Sequence, residues 1–107
     1  MLRMGVDMEK HRVILATRVR FQLLQHASFL SRVSPLAAKR FRQAFSKIIE
    51  RLKENPFQFP VDPVFTELNL PYRDALFEGR YKVLFTIEKD IVYVDSVIDC
   101  RQQFTQS

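Results

Sequence analysis

The feature that most constrains the fold is an amphipathic segment lying between two proline signals, Ser34-Pro35 and Asn55-Pro56. Serine is a preferred N-cap and proline is well tolerated at the first helical position. The residue before a proline disfavours helical dihedral angles, so Asn55-Pro56 ends the segment. Between the two signals, apolar side chains recur on one stripe at helical spacing: Ala37, Phe41, Ala44, Phe45, Ile48 and Leu52. The pattern predicts a helix over 35–54 that buries this stripe in a core.

The residues before this helix predict a strand and a shorter helix. From His11 to Val19, the residues Val13, Leu15, Thr17 and Val19 stand at every second position and are mostly β-branched, a pattern typical of a strand. From Arg20 to Arg32, apolar side chains spread over a broad face at helical spacing, which predicts a helix. Because only a short link separates the two helices, we expect them to run antiparallel as a hairpin.

The second half of the chain predicts a connector followed by three strands. Residues 55–71 contain four prolines, Pro56, Pro60, Pro63 and Pro71, and proline cannot donate to an interior ladder. Apolar and β-branched residues then fill three segments, 72–77, 80–87 and 91–99. The breaks between them, at 78–79 and 88–90, are short enough only for turns. Short turns join antiparallel neighbours, so these segments predict a three-stranded meander.

These elements predict an α+β fold in a single domain spanning residues 1–107. A strand, a two-helix hairpin and the meander would form one antiparallel sheet, with the helices packed on one face. The other face would stay open or meet a partner. Residues 1–10 are expected to form a loose N-terminal arm, and residues 102–107 a polar tail.

Charge and composition narrow the classes of function. Lysine and arginine total 17 against 12 aspartate and glutamate, and the surplus lies in residues 1–60, which hold 12 basic and 4 acidic groups. A basic half of this kind attracts nucleic acid or an acidic protein, although it is also compatible with a merely solvated surface.

No apolar run is long enough for a membrane span, so no membrane partner is expected. The single cysteine, Cys100, suits a reducing cytoplasm, and no metal site or cofactor is expected.

Strand alternation predicts a cationic cluster on the open face of the sheet. It places Arg73, Lys82 and Arg101 together there, with Arg80 on the same side of its strand and Asp99 nearby. Such a cluster suits a phosphate backbone or a carboxylate-rich peptide. The alternative is a set of cross-strand ion pairs, such as Asp99 with Lys82 or Arg101, that holds no ligand.

Four other side chains with reactive groups have simpler interpretations. Tyr93 is able to act as an acid or base, but a tyrosine on a strand is more often used for packing. His11 and His26 lie far in sequence from the cationic cluster, which favours structural roles. Cys100 is expected to point to the core and to be unreactive.

Taken in order, several short motifs resemble the RelE/ParE superfamily of bacterial toxins. They are Ser34-Pro35-Leu36-Ala37-Ala38, Asn55-Pro56, Tyr72-Arg73, Gly79-Arg80-Tyr81-Lys82-Val83-Leu84-Phe85 and Val97-Ile98-Asp99-Cys100-Arg101. The resemblance covers about residues 11–101. It implies a RelE/ParE-like fold and the toxin of a type II toxin–antitoxin module, associated with growth inhibition and plasmid stabilisation. The implied partner is a small antitoxin with an acidic toxin-binding segment.

The resemblance implies two possible targets. RelE-like members cut mRNA on the ribosome, which would assign phosphate contacts to Arg73, Lys82 and Arg101, and proton transfer to Asp99 or Tyr93. ParE-like members poison DNA gyrase. For either target or for the antitoxin, the implied binding residues are Arg73, Arg80, Lys82, Tyr93 and Arg101.

The chain departs from the nuclease pattern at four positions. Ala75 replaces a second base, Lys82 replaces an arginine, Asp99 replaces the histidine of some members, and Phe104 replaces a catalytic tyrosine. These departures favour gyrase poisoning. An mRNA endonuclease is the first alternative, and a degenerate toxin that acts only as a binding module is the second.

Overall fold

The computed structural model describes residues 10–101. The elements are β1 (Arg12–Leu15), α1 (Thr17–Val33), α2 (Pro35–Glu54), α3 (Pro63–Glu67), β2 (Arg73–Phe77), β3 (Tyr81–Glu88) and β4 (Ile91–Asp99). The fold is α+β, as predicted. The predicted polar tail and all of the predicted N-terminal arm except Lys10 lie outside the described residues.

Helix α2 begins and ends at the predicted residues because side chains satisfy the free backbone groups at both ends. The Ser34 hydroxyl accepts a hydrogen bond from the Ala37 amide at 3.2 Å. At the other end, the Gln58 Nε2 donates to the Arg51 carbonyl at 3.3 Å and to the Asn55 carbonyl at 2.8 Å. The Asn55 side-chain oxygen accepts from the Phe57 amide at 3.1 Å and caps the 3₁₀ turn at Pro56–Gln58. Phe41, Phe45, Ile48 and Leu52 of the predicted stripe are buried.

The first strand is shorter than predicted, and helix α1 begins earlier. The Ala16 amide donates to the Val94 carbonyl at 2.9 Å, and the chain turns into the helix at Thr17. Val19, which alternation assigned to the strand, is fully buried on the inner side of α1. Alternation and helical spacing both place apolar residues at these positions, so the sequence alone does not separate them.

The sheet is mixed rather than antiparallel, and its strand order is β1-β4-β3-β2. The meander is antiparallel as predicted, but β1 runs parallel to β4. Parallel neighbours require a long crossover connection, and both long helices lie in the chain between these two strands. The main core joins α1 and α2 to one face of the sheet, where Phe41 of α2 packs against Phe77 and Tyr81.

A β-bulge in β4 changes which side chains share a face. Phe85 pairs with Val94 whereas Leu84 pairs with Ser96, so Asp95 is an extra residue without a partner on β3. Side chains after a bulge of this kind change sides relative to simple alternation. Val97 therefore joins the core beside the helices, and Ser96 takes the opposite face. Simple alternation therefore gives the correct faces of β4 before the bulge and the wrong faces after it, where Asp99 lies.

The connector is attached to the edge of the sheet beside β2. Val61 forms an isolated antiparallel bridge with Arg73, and the Asp62 amide donates to the Tyr72 carbonyl at 2.8 Å. Phe59 is buried in the main core, whereas Phe57 remains exposed. Within residues 10–101, no helix has both the length and the apolar character needed to cross a membrane.

Candidate functional site

The structure separates the three cations that were expected to form a cluster. Lys82 pairs with Leu76 and Ile98 on the face of the sheet away from the main core. Arg73 pairs with Phe85, which is a core residue, and so projects to the face that carries the helices. Because strand partners project to the same side, the prediction of one shared cationic face is wrong.

Arg101 lies on the helix side of the sheet, apart from Lys82. Asp99, two residues before it, pairs with the core residue Tyr81, because the bulge has reversed the alternation. Arg101 lines a cleft with Tyr81 and Phe41 at the end of the hairpin. The prediction that Arg101 and Asp99 lie on the open face is therefore wrong, because the bulge reverses the alternation for both residues.

Arg73 connects the sheet to the connector. Its Nη1 donates to the Phe59 carbonyl at 2.6 Å, and its guanidinium lies 5.4 Å from the centre of the Phe57 ring. One of the N–H donors of the guanidinium is thus bound to backbone. This arrangement gives Arg73 a structural role at the edge of the sheet.

Asp99 forms a nearly buried ion pair with Arg80. The Arg80 Nε donates to both Asp99 oxygens at 3.1 Å, and Nη2 donates to Oδ2 at 2.8 Å. Asp99 is only 3% exposed and also accepts from the Arg101 amide at 3.0 Å. Burial alone would raise the pKa of Asp99, but the hydrogen bonds from Arg80 and Arg101 outweigh it and lower the pKa. The expected alternative of ion pairing is correct for Asp99, although its partner is Arg80.

Lys82 belongs to a second charged group, the Asp62–Asp74–Lys82 cluster. The Lys82 Nζ contacts the Asp62 Oδ2 at 2.8 Å, and Asp62 is completely buried. The other Asp62 oxygen caps α3 by accepting from the Val64 and Phe65 amides at 3.0 and 3.3 Å. Hydrogen bonds, led by the one from Lys82, hold the pKa of Asp62 below its usual value against the opposing effect of burial.

The third member of the cluster, Asp74, behaves differently from Asp62. Burial, together with the neighbouring Asp62, raises the pKa of Asp74 to about 6. Neither aspartate was predicted as a site residue. The dipeptide Asp62-Pro63 carries a usable signal for Asp62, since aspartate is a preferred N-cap and proline favours the first helical position.

Tyr93 pairs with Thr86 on the face of the sheet away from the main core, where it lines the sheet-face cleft. This cleft has a volume of about 270 Å³ and is lined by Ile14, Ala16, Tyr72, Thr86, Tyr93, Val94 and Asp95. Asp95, the bulge residue, accepts from Arg18 Nη1 at 3.2 Å and from the Ser96 hydroxyl at 2.8 Å. The cleft thus combines two phenol rings with a carboxylate that is already hydrogen-bonded.

The histidines and the cysteine have no catalytic arrangement. His26 Nε2 lies 3.0 Å from the Val97 carbonyl, which requires a proton on Nε2, and its ring packs on Phe41 and Tyr81. His11 packs edge-on against Phe57. Cys100 is half-buried rather than in the core, and burial raises the pKa of its thiol, which disfavours the reactive thiolate.

Taken together, the candidate residues are poorly arranged for RNA cleavage. RNA cleavage through a 2′-hydroxyl needs a proton acceptor, a cation for the phosphate and a proton donor within reach of one another. The Arg80–Asp99 pair and the Lys82–Asp62 pair lie on opposite faces of the sheet. Within each pair, the cation and the carboxylate already bind one another. Among residues 10–101 there is also no group of histidine, cysteine, aspartate and glutamate side chains suited to a metal ion.

Comparison of the sequence with models of protein families and with curated proteins gives no match.

Proposed function

We propose that this protein is the toxin of a type II toxin–antitoxin module and that it inhibits growth by binding its target, as ParE-like toxins do with DNA gyrase. The support is the order of elements, a strand, a helical hairpin and a three-stranded meander, together with the motifs that resemble the RelE/ParE superfamily. The mixed sheet does not distinguish between the two kinds of target, because fold alone does not determine function.

The observation that favours binding over RNA cleavage is the state of Asp99. Its two oxygens are held by Arg80 and the Arg101 amide, and its lowered pKa makes it a poor proton acceptor near neutral pH. Lys82 is similarly occupied by Asp62. Tyr93 remains accessible in the sheet-face cleft, but none of the three predicted phosphate-binding cations lines that cleft.

The proposed partner is a small antitoxin with an acidic segment. Between Lys10 and Ile49 the chain has nine lysines and arginines and no aspartate or glutamate. Of these nine cations, Arg18 alone has an ion-pair partner among the described residues. Such a surface attracts an acidic segment, and the attraction weakens as salt screens it.

The test combines growth, supercoiling and RNA cleavage. Induction of the chain in bacteria is expected to arrest growth, and the purified protein is expected to inhibit supercoiling by DNA gyrase and to trap cleaved DNA. Mapping of mRNA 5′ ends after induction is expected to reveal no cuts in phase with the ribosome. Cuts in phase with the ribosome would contradict gyrase poisoning and identify the protein as an mRNA endonuclease. Absence of any growth defect would leave the chain as a binding module only.

A further inference from the structure

The sheet-face cleft lies between two tyrosines that stand on either side of a small residue. Ile14 of β1 pairs with Tyr93 of β4, and Tyr93 pairs with Thr86 of β3. Continuing the β2–β3 register by one residue places Tyr72 opposite Thr86. The two tyrosines are thus two strands apart, roughly 10 Å between their backbones. A flat group in contact with both rings needs about 7–8 Å, since touching carbon atoms lie about 3.5–4.0 Å apart. The spacing therefore leaves room for one flat group.

A carboxylate lies beside both rings. Asp95 follows Tyr93 by two residues in β4, and its Oδ1 lies 3.5 Å from the Tyr72 hydroxyl. The Ser96 hydroxyl donates to the other Asp95 oxygen at 2.8 Å, and the Tyr72 ring packs against Phe65 at a centroid distance of 4.9 Å. These contacts fix the carboxylate and one of the rings. The site nevertheless remains open to solvent, because Tyr93 is 37% exposed and the Asp95 side chain is 31% exposed.

The structure shows that Asp95 accepts a guanidinium. Arg18 at the start of α1 donates from Nη1 to the Asp95 Oδ1 at 3.2 Å. This contact is one hydrogen bond from a side chain that is 61% exposed, so it belongs to the class of surface ion pairs that contribute little free energy. Replacing Arg18 with another guanidinium at Asp95 therefore costs little.

The chemistry of the cleft selects a cation over an anion. The face of a tyrosine ring is electrostatically negative and attracts a guanidinium, and Asp95 adds a negative charge. A nucleotide in the cleft would bring its phosphate towards Asp95, and none of the described residues that line the cleft is a lysine or an arginine. Among cations, a guanidinium is flat and pairs with both oxygens of a carboxylate, whereas an ammonium is a compact point charge.

The size of the cleft suits a group as large as one side chain. Its volume of about 270 Å³ is below the range of about 300–1,000 Å³ that is usual for pockets that bind drug-sized ligands. A guanidinium on a short aliphatic chain is small enough for this volume, and the exposed Ile14 offers apolar surface to the chain.

We propose that the sheet-face cleft binds one guanidinium group on a short aliphatic chain, stacked between Tyr72 and Tyr93 and paired with Asp95 in place of Arg18. Two sources share this chemistry, an arginine side chain of a partner protein and a free small guanidine. The inference goes beyond the proposed function and does not depend on it, because it involves neither gyrase nor the acidic segment of an antitoxin. It gives Tyr93 a cationic ligand instead of the phosphate expected from the sequence.

The experiment titrates the full ¹⁵N-labelled chain with a capped glycine–arginine–glycine tripeptide and follows the amide shifts of β4 by NMR. Asp95→Asn and Tyr93→Ala are each expected to weaken binding by at least about fivefold. Arg18→Gln is expected to strengthen binding about two- to fivefold, because it removes the competing guanidinium. Glu50→Gln and Phe29→Ala, on the helices that cover the other face of the sheet, are matched controls expected to leave binding unchanged.

Arg18→Gln separates a binding site from a structural contact. A substitution that only damaged the cleft would weaken binding, whereas loss of a competitor strengthens it. Because the Arg18 side chain is mostly exposed, this variant is expected to keep its fold, which circular dichroism checks for all five variants. Its result therefore decides the proposal even if Asp95→Asn or Tyr93→Ala does not fold.

Matched probes identify the ligand. The same tripeptide with lysine in place of arginine is expected to bind at least about threefold more weakly, and uridine monophosphate is expected not to shift the amides beside the cleft. Tighter binding of the arginine tripeptide than of agmatine assigns the site to a partner's side chain, and the reverse order assigns it to a free guanidine. Either order supports a guanidinium site.

Four results would overturn the proposal. They are the absence of shifts beside the cleft with both guanidinium probes, weaker binding by Arg18→Gln, unchanged binding by folded Asp95→Asn and Tyr93→Ala, and tighter binding of uridine monophosphate than of the arginine tripeptide. None of these results bears on growth arrest or gyrase, so the assignment as a toxin is tested separately.

Discussion

Asp99 remains charged although it is almost completely buried, because Arg80 neutralises it and three of its hydrogen bonds come from that guanidinium. We predict that Asp99→Asn lowers the free energy of unfolding by about 2–4 kcal/mol, because breaking a buried pair leaves the other charge without its partner. Urea denaturation measures the change. Glu50→Gln, which breaks the exposed pair with Lys53, is the matched control and is expected to cost less than about 0.5 kcal/mol.

The pH dependence of the same pair follows from the lowered pKa of Asp99. A carboxyl whose pKa is lower in the folded state stabilises the protein above its unfolded pKa, and this contribution is lost as pH falls through the folded pKa. The difference in stability between wild type and Asp99→Asn should therefore shrink in acid, below about pH 4. Equal stability of the two proteins at neutral pH would contradict the structural role assigned to Asp99.

Asp74 is expected to have the opposite pH dependence, because its folded pKa of about 6 lies above the unfolded value. The folded state then binds a proton more tightly, so the contribution of Asp74 is present below about pH 4 and is lost as pH rises through about 6. We predict that Asp74→Asn stabilises the protein at pH 8, by less than about 3 kcal/mol, and that the gain disappears near pH 4. Thermal unfolding over this range, with Asp90→Asn in the exposed β3–β4 turn as control, measures the effect. A gain that is independent of pH would show that it does not come from the Asp74 proton.

Helix α2 is the element whose limits follow most directly from local chemistry. Because the Ser34 hydroxyl accepts from the Ala37 amide, Ser34→Ala is predicted to destabilise the protein by about 1 kcal/mol. Ser31→Ala, inside α1, removes a hydroxyl that only donates to the Ser28 carbonyl and is expected to change stability by less than about 0.5 kcal/mol. Denaturant midpoints of the two variants compare the effects directly. Equal losses would mean that the cap contributes little to the limits of α2.

The features that were predicted correctly from the sequence depend on interactions between residues close together in the chain. The features that were missed depend on residues far apart in the chain. The limits of α2 and the strands of the meander depend on caps, turns and alternation, which are local, and these were predicted. The parallel pairing of β1 with β4 and the bulge at Asp95 depend on residues far apart in sequence. The bulge changes the sides of later β4 residues, so Arg101 and Asp99 were misplaced although the strand limits were correct to within one residue. Arg73 was misplaced for a different reason, because its pairing with Phe85 puts it on the core side of β2.

At the scale of the whole molecule, the distribution of charge and apolar surface divides the protein into two parts with different roles. The meander and connector hold most of the acidic residues, and they pair Lys82 and Arg80 internally. On the helical hairpin, only Arg18 and Lys53 of the cations have an ion-pair partner among the described residues, and several large apolar side chains are exposed. A partner that binds the hairpin would therefore leave both internal charge groups intact.

The two parts are joined by one aromatic core, in which Phe41 is central. Its ring contacts Tyr81 and Phe77 at centroid distances of 4.7 and 5.6 Å and contacts His26 at 5.8 Å, so it connects α1, α2, β2 and β3. We predict that Phe41→Ala lowers the free energy of unfolding by about 3–5 kcal/mol, the usual cost of removing a buried phenylalanine. Phe29→Ala, at a half-exposed position on α1, is the matched control and is expected to cost less than about 1 kcal/mol. Far-UV circular dichroism and tyrosine fluorescence followed during urea denaturation should give the same midpoint for Phe41→Ala, since its loss weakens helices and sheet together. Separate midpoints for the two signals would show that the hairpin and the meander unfold independently and that Phe41 does not join them.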